Sequence, residues 1–118
     1  QEVARILDRL TVKGRWYFVR GNHDHKKEVR VLKQYAVDET VHDILQISPS
    51  GQSIILCHYP FLEWNKSYYG SWHLHGHDHR NVSYGDGKLR HNVAVKFSDY
   101  YPISFEWLRQ HFSCLQNH

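Results

Sequence analysis

A chain of 118 residues is long enough to bury one modest core and too short for two domains of usual size, so residues 1–118 are expected to form a single domain. Hydrophobic residues make up 41% and aromatic residues 14%, a globular composition; the longest aliphatic run, Ile54 to Leu56, is far too short to span a bilayer, and no membrane role is expected. The net charge is +3 with histidines neutral, and apart from Lys26 and Lys27 the basic residues are scattered, so the basic stripe of a protein that works by nucleic-acid binding alone is missing.

Val3, Ile6, Leu7 and Leu10 recur at helical spacing and predict an amphipathic helix over 2–10, ended by Lys13-Gly14. The aromatic and β-branched run RWYFVR (15–20) predicts a buried strand that stops at Gly21, and the loop GNHDH follows at once. Val29, Leu32, Tyr35 and Ala36 mark a second helix. VHDILQI (41–47) alternates like a half-buried strand, PSGQ (49–52) is a turn, and SIILCH is the next strand, ending at Tyr59-Pro60. The aromatic stretch 61–70 reads as a loop, SWHLH (71–75) as a strand broken by Gly76, YGDGK (84–88) as a turn and LRHNVAV (89–95) as a strand. Ser104 is placed to cap a last helix through FEWLRQHF. Helices alternate with strands first and strands dominate later, which predicts an α/β layered domain.

Cys57, inside an apolar run, and Cys114 give neither a metal-type spacing nor a disulfide framework, and no charged-then-apolar leader opens the chain. A reduced, cytoplasmic setting is therefore expected. The chain starts at Gln1 and contains no methionine, which predicts a piece of a longer protein, although loss of modified methionines from the sequence as written would leave the same composition.

Three polar motifs follow three apolar strands: Asn22-His23-Asp24 after 15–20, His58 after 53–57, and His77-Asp78-His79 after 71–75. Ligands of α/β sheets gather beyond the carboxyl ends of strands, so if these strands are neighbours the motifs converge on one crevice. Gly76 is expected to break its strand, leaving His73 and His75 on the strand face opposite Trp72 and Leu74. Imidazole nitrogens with an Asn carbonyl oxygen suit Zn, Mn, Fe, Co or Ni, and the lack of nearby thiolates argues against a structural zinc. Singly, these motifs also read as an Asx turn, a satisfied strand-end histidine and a surface pair; their joint order points to a centre.

GNHD (21–24), the lone histidine of CHYP (57–60) and GHDH (76–79) resemble the last three motifs of calcineurin-like metallophosphoesterases, over Gln1 to about Val95. Asp24 in place of Glu, and 18 residues between His58 and His77, are more similar to the small phosphodiesterase branch than to the phosphoprotein phosphatases. The resemblance implies a layered α-β-β-α sandwich, of which this chain is the C-terminal portion, two divalent transition metal ions, and a phosphoester substrate, with nucleotides and nucleic acids among the candidates. By it, Asn22, His58 and His77 are similar to ligands of the second metal and His79 to a ligand of the first. His23 is similar to the residue that touches the phosphoryl group, and Asp24 to the carboxylate that orients it. The family's Asp-x-His and Gly-Asp motifs, which precede a helix like 2–10, have no counterpart here. The rival reading is a metal-binding or interaction module that keeps half of the site and does no hydrolysis.

Of the other histidines, His73 and His75 are expected as strand-face residues near the site, and His25, His42, His91, His111 and His118 as structural or solvated. Trp64, Tyr68, Tyr69 and Trp72 are assigned either to a wall of the crevice, where they would stack a ring, or to packing.

Overall fold

The aromatic run after Arg15 forms a short strand, β1 (Phe18–Val19), and is followed by helix α1 (Lys26–Tyr35) and a second short strand, β2 (Val41–His42). β1 and β2 are parallel, Phe18 opposite Val41 and Val19 opposite His42, so the three elements make a βαβ unit. The computed structural model describes residues 16–21, 26–36, 40–78, 87–94, 98 and 101–116. The expected helix over 2–10 lies outside the described residues.

The strand expected over 41–47 is two strands. β2 stays with β1, and β3 (Ile44–Ile47) enters a second sheet, with exposed Asp43 at the switch. Asp is a poor strand former, and here its carboxylate lies 4.0 Å from the Arg20 guanidinium while Arg20 N–H donates to His42 O at 2.8 Å, which holds the switch to the β1 side. Hydrophobic alternation reports which face a side chain takes and not which partner its strand pairs with, so it runs unbroken across such a switch.

The second sheet has the order β3-β4-β5-β6, with β4 (Ile54–Cys57), β5 (Trp72–His75) and β6 (Arg90–Asn92). β3 and β4 are antiparallel about the predicted turn, where Ser50 (φ 51°) and Gly51 (φ 80°) take left-handed angles. β4, β5 and β6 are parallel, with Ile54 opposite Trp72 and His73 opposite Arg90, so their carboxyl ends share one edge.

Both faces of this sheet are covered. Helix α2 (Phe105–Gln116) starts at Ser104, whose Oγ accepts Trp107 N–H at 3.1 Å, as the sequence predicts. Leu108 and Phe112, one turn apart, pack with Ile54, Trp72 and Leu89. Phe112 is only 1% exposed and its ring lies 4.8 Å from that of Trp72; burying such a side chain is worth roughly 1.5–3 kcal/mol. The opposite face carries Ile55, Cys57, His73 and His75, all buried, with Phe61 of the following loop stacked on His73 and Trp64 packed against it at a tilt. The described residues thus make a mixed α/β fold with two sheets. Among the described residues no helix is long and apolar enough to cross a membrane.

Candidate metal centre

Because β4 and β5 are parallel neighbours, the residues that follow them leave the sheet side by side. Gly76 N–H donates to His58 O at 2.9 Å, one step beyond the end of both strands. His77 then turns outward and its Nδ1 lies 3.2 Å from His58 Nε2, the two rings crossing at 75° with centroids 5.0 Å apart. Two of the three expected motifs therefore meet. Asn22, His23, Asp24 and His79 lie outside the described residues; β1, which leads to Asn22, pairs with β2 and not with β4 or β5.

β5 stops at His75, so the strand breaks at Gly76 as expected, but Gly76 is not the residue that takes the unusual angle. The left-handed residue is His77 (φ 63°), not Gly76. Left-handed angles cost a residue with a Cβ roughly 1–2 kcal/mol, and here they aim the imidazole at His58. The following turn is pinned by Asp78 N–H on Gly76 O at 2.7 Å and by Asn92 Nδ2 on Asp78 O at 2.7 Å. Gly76 contributes by its size: a Cβ there would stand 3.5 Å from His58 Nδ1, already in contact with the ring.

Tyr59, which sequence reasoning passed over, is half exposed and packs on both imidazoles, its ring 4.6 Å from that of His77 and 5.0 Å from that of His58. The available signal was an aromatic residue directly after a candidate ligand at a strand end. Trp64 and Trp72, by contrast, belong to packing and not to a crevice wall. Trp64 is buried, donates from Nε1 to Ser71 Oγ at 3.0 Å and covers His73, while Trp72 sits under α2. Tyr68 and Tyr69 project into solvent.

His73 and His75 lie on the strand face, as expected, and both are buried. His73 Nδ1 meets Ile55 O at 3.0 Å and its Nε2 accepts Phe61 N–H at 3.1 Å, which together define the Nδ1–H tautomer. His75 Nδ1 meets Gly76 O at 3.0 Å. Burial pushes both imidazoles below their ordinary pKa, against the raising effect of these carbonyls. His91 and His111 form a separate pair between β6 and α2, ring centroids 4.8 Å apart, with Trp107 stacked on His111.

The His58–His77 pair suits a metal by geometry and chemistry. Two nitrogens bound at about 2.0–2.1 Å to one ion, at about 90–110° to each other, stand about 2.9–3.4 Å apart, and the observed separation is 3.2 Å. Imidazoles are borderline donors suited to Zn, Fe, Co, Ni or Mn, and an ion would displace the proton now shared between them. Among the described residues no group of three or more His, Cys, Asp or Glu that could hold a metal is found. No protein-family model matches the chain, and neither a curated protein nor a solved structure matches it.

Proposed function

We propose that this chain is the C-terminal part of a metal-dependent phosphoesterase in which His58 and His77 are ligands of one divalent transition metal ion. The observation that carries the reading is the 3.2 Å approach of their nitrogens at the carboxyl edge of two parallel strands, where α/β folds collect their ligands. A dinuclear pair of such ions supplies Lewis-acid polarisation of a phosphoryl oxygen and a nucleophilic water of lowered pKa. Within the chain, His58 and His77 hold one ion, Tyr59 shields both rings on one side, and Gly76 leaves the His58 ring its place. In this reading Asn22 joins them on the same ion, His79 serves the other ion, His23 donates a hydrogen bond to the phosphoryl oxygens or leaving group, and Asp24 orients His23. The remaining ligands come from upstream sequence carrying Asp-x-His and Gly-Asp motifs. The substrate is a phosphoester, with nucleotides and nucleic acids as candidates, and the setting is cytoplasmic.

The test is elemental analysis of the natural full-length protein together with turnover of bis(p-nitrophenyl) phosphate. Two equivalents of a transition metal and metal-dependent release of nitrophenolate are expected. Metal uptake without turnover would replace the reading with a binding module that keeps half of the site, and no uptake at all would remove both.

A further inference from the structure

The peptide of Phe61 is held from both sides by side chains of the sheet face that α2 does not cover. Its N–H donates to His73 Nε2 at 3.1 Å, and its carbonyl oxygen accepts from Arg90 Nη1 at 2.5 Å. Its ring lies flat on the His73 imidazole, centroids 4.9 Å apart and planes within 7°. Trp64 closes over the same imidazole at 5.2 Å and lies 5.9 Å from the Arg90 guanidinium carbon. His73 and Arg90 are paired across β5 and β6, so the two halves of this grip come from neighbouring positions of one rigid sheet.

The gripped segment is the one that leaves β4 through His58, Tyr59 and Pro60. Only those three residues separate β4 from Phe61, and Pro60 has a fixed φ. Fixing Phe61 therefore limits where His58 and Tyr59 can go. At the other end His73 Nδ1–H donates to Ile55 O inside β4 itself. One imidazole thus ties the strand before His58 to the loop after it.

We propose that His73 is a positioning residue for the candidate metal pair: a neutral, fully buried imidazole that holds the chain on both sides of His58 and so sets the His58 ring against His77 and Tyr59. His73 is 0% exposed and touches neither bound ion nor substrate in this scheme. Both of its nitrogens are spent on backbone, one as donor and one as acceptor, and no other side chain supplies both at once at these spacings. The inference rests on the metal reading for its purpose, though not for the tie itself.

Two substitutions separate the two bonds. In H73N the side-chain amide stands where Nδ1 stood and keeps the bond to Ile55 O, but it does not reach Phe61. In H73Q the amide oxygen stands where Nε2 stood and keeps the Phe61 bond. The experiment measures, on the whole chain, the ring nitrogen shifts of His73, hydrogen exchange of the Phe61 amide, the ring proton shifts of His58 and His77, and zinc affinity by titration calorimetry. We expect the Nδ1–H tautomer in the unsubstituted chain. H73N should speed Phe61 exchange by about tenfold or more, move the His58 and His77 ring signals, and weaken zinc binding by about 10- to 100-fold, the usual scale for a group that orients a ligand. H73Q, which loses only the tie to Ile55 O, should keep Phe61 exchange slow and change the His58 and His77 signals and the zinc affinity less than H73N does, although it too disturbs the core. A Nε2–H tautomer overturns the proposal, as does faster Phe61 exchange in H73N with unmoved His58 and His77 signals, because the tie would then be structural only. Equal losses in both variants, following their melting temperatures, overturn it as well. If the unsubstituted chain binds no zinc, the metal reading fails, and the ring signals of His58 and His77 still decide whether His73 positions them.

Discussion

Gly76 and His58 continue the parallel ladder one step past the ends of their strands, Gly76 N–H on His58 O at 2.9 Å, and this places the α-carbon of Gly76 against the His58 imidazole. The contact makes position 76 a gauge of the site. A Cβ at 3.5 Å from His58 Nδ1 is an ordinary van der Waals distance, and the angles of Gly76 are not left-handed. Gly76→Ala should therefore fold normally and keep zinc affinity within about threefold. Gly76→Val adds two methyl groups on the same side; it should push the ring away and weaken zinc by about tenfold, or roughly 1.4 kcal/mol. Equal affinities for Val and Gly, by calorimetry, would show that the ring does not hold its place in solution.

The histidine at 77 and the one two residues before it should behave oppositely. His77 is exposed with its Nδ1 on His58, whereas His75 is buried with its Nδ1 on Gly76 O. His77→Ala should lower metal content and leave the melting temperature nearly unchanged or raised. His75→Ala leaves a cavity and removes one of the two bonds to Gly76 O, which keeps the Asp78 N–H, so it should cost roughly 1–3 kcal/mol while metal stoichiometry persists. Elemental analysis beside thermal melts reads both, and equal metal loss in the two variants would point to a ladder of four histidines instead of a pair.

Acid should loosen the seam between β6 and α2. Burial and the neighbouring His111 push the His91 pKa down to about 4, from an ordinary value of 6.5. The unfolded chain then binds more protons than the folded one between those pH values, so stability is whole above pH 6.5 and falls as pH drops toward 4. His73 and His75, also shifted down by burial, add to the same slope. Each full proton contributes at most about 1.4 kcal/mol per pH unit. Urea unfolding across this range should show the loss, and His91→Leu should flatten the curve by up to one proton. A pH-independent midpoint from 6.5 to 4 in the unsubstituted chain would contradict the seam as described.

Much of the α2 side was legible in the sequence because its signals are local. Ser104 before FEWLRQHF is a cap followed by helical spacing, and the structure has both. From them, Ser104→Ala should cost about 1 kcal/mol, and Phe112→Ala, in the packed contact with Trp72, about 3–5 kcal/mol, both read by urea unfolding. Strands beside His58 and His77 were legible for the same reason: each is an apolar run with a stop signal. What escaped depends on the rest of the molecule. The switch of sheet at Asp43 is a choice of partner, invisible to periodicity. Trp64 and Trp72 look alike in composition to Tyr68 and Tyr69, yet one pair is buried and the other exposed, because burial follows from whether a ring faces His73 or α2. Gly76 drew the strand break because glycine adopts positive φ most easily, while the turn bonds of Asp78 and Asn92 impose that angle on His77 instead.

That last displacement carries a sharp expectation. At φ 63° His77 sits in a backbone region that favours glycine and tolerates asparagine, and among the described residues its exposed side chain meets only His58 and Tyr59 to offset the cost. If the residue is there for binding, then replacing it should trade function for stability. His77→Gly removes the Cβ clash but adds chain entropy to the unfolded state, and His77→Asn keeps most of the entropy while tolerating the angle; each should raise stability by roughly 0.5–1 kcal/mol. Both should lose the metal, since neither side chain brings an imidazole nitrogen to within 3.2 Å of His58 Nε2. Thermal melts with and without zinc provide the measurement. In the unsubstituted chain added zinc should raise the melting temperature, by binding the folded state alone, and in both variants the starting temperature should be higher and the zinc increment absent. Variants that melt lower than the unsubstituted chain without metal would show that the His58–His77 contact itself stabilises the fold, and that the strained angle is maintained for structure and not for a ligand.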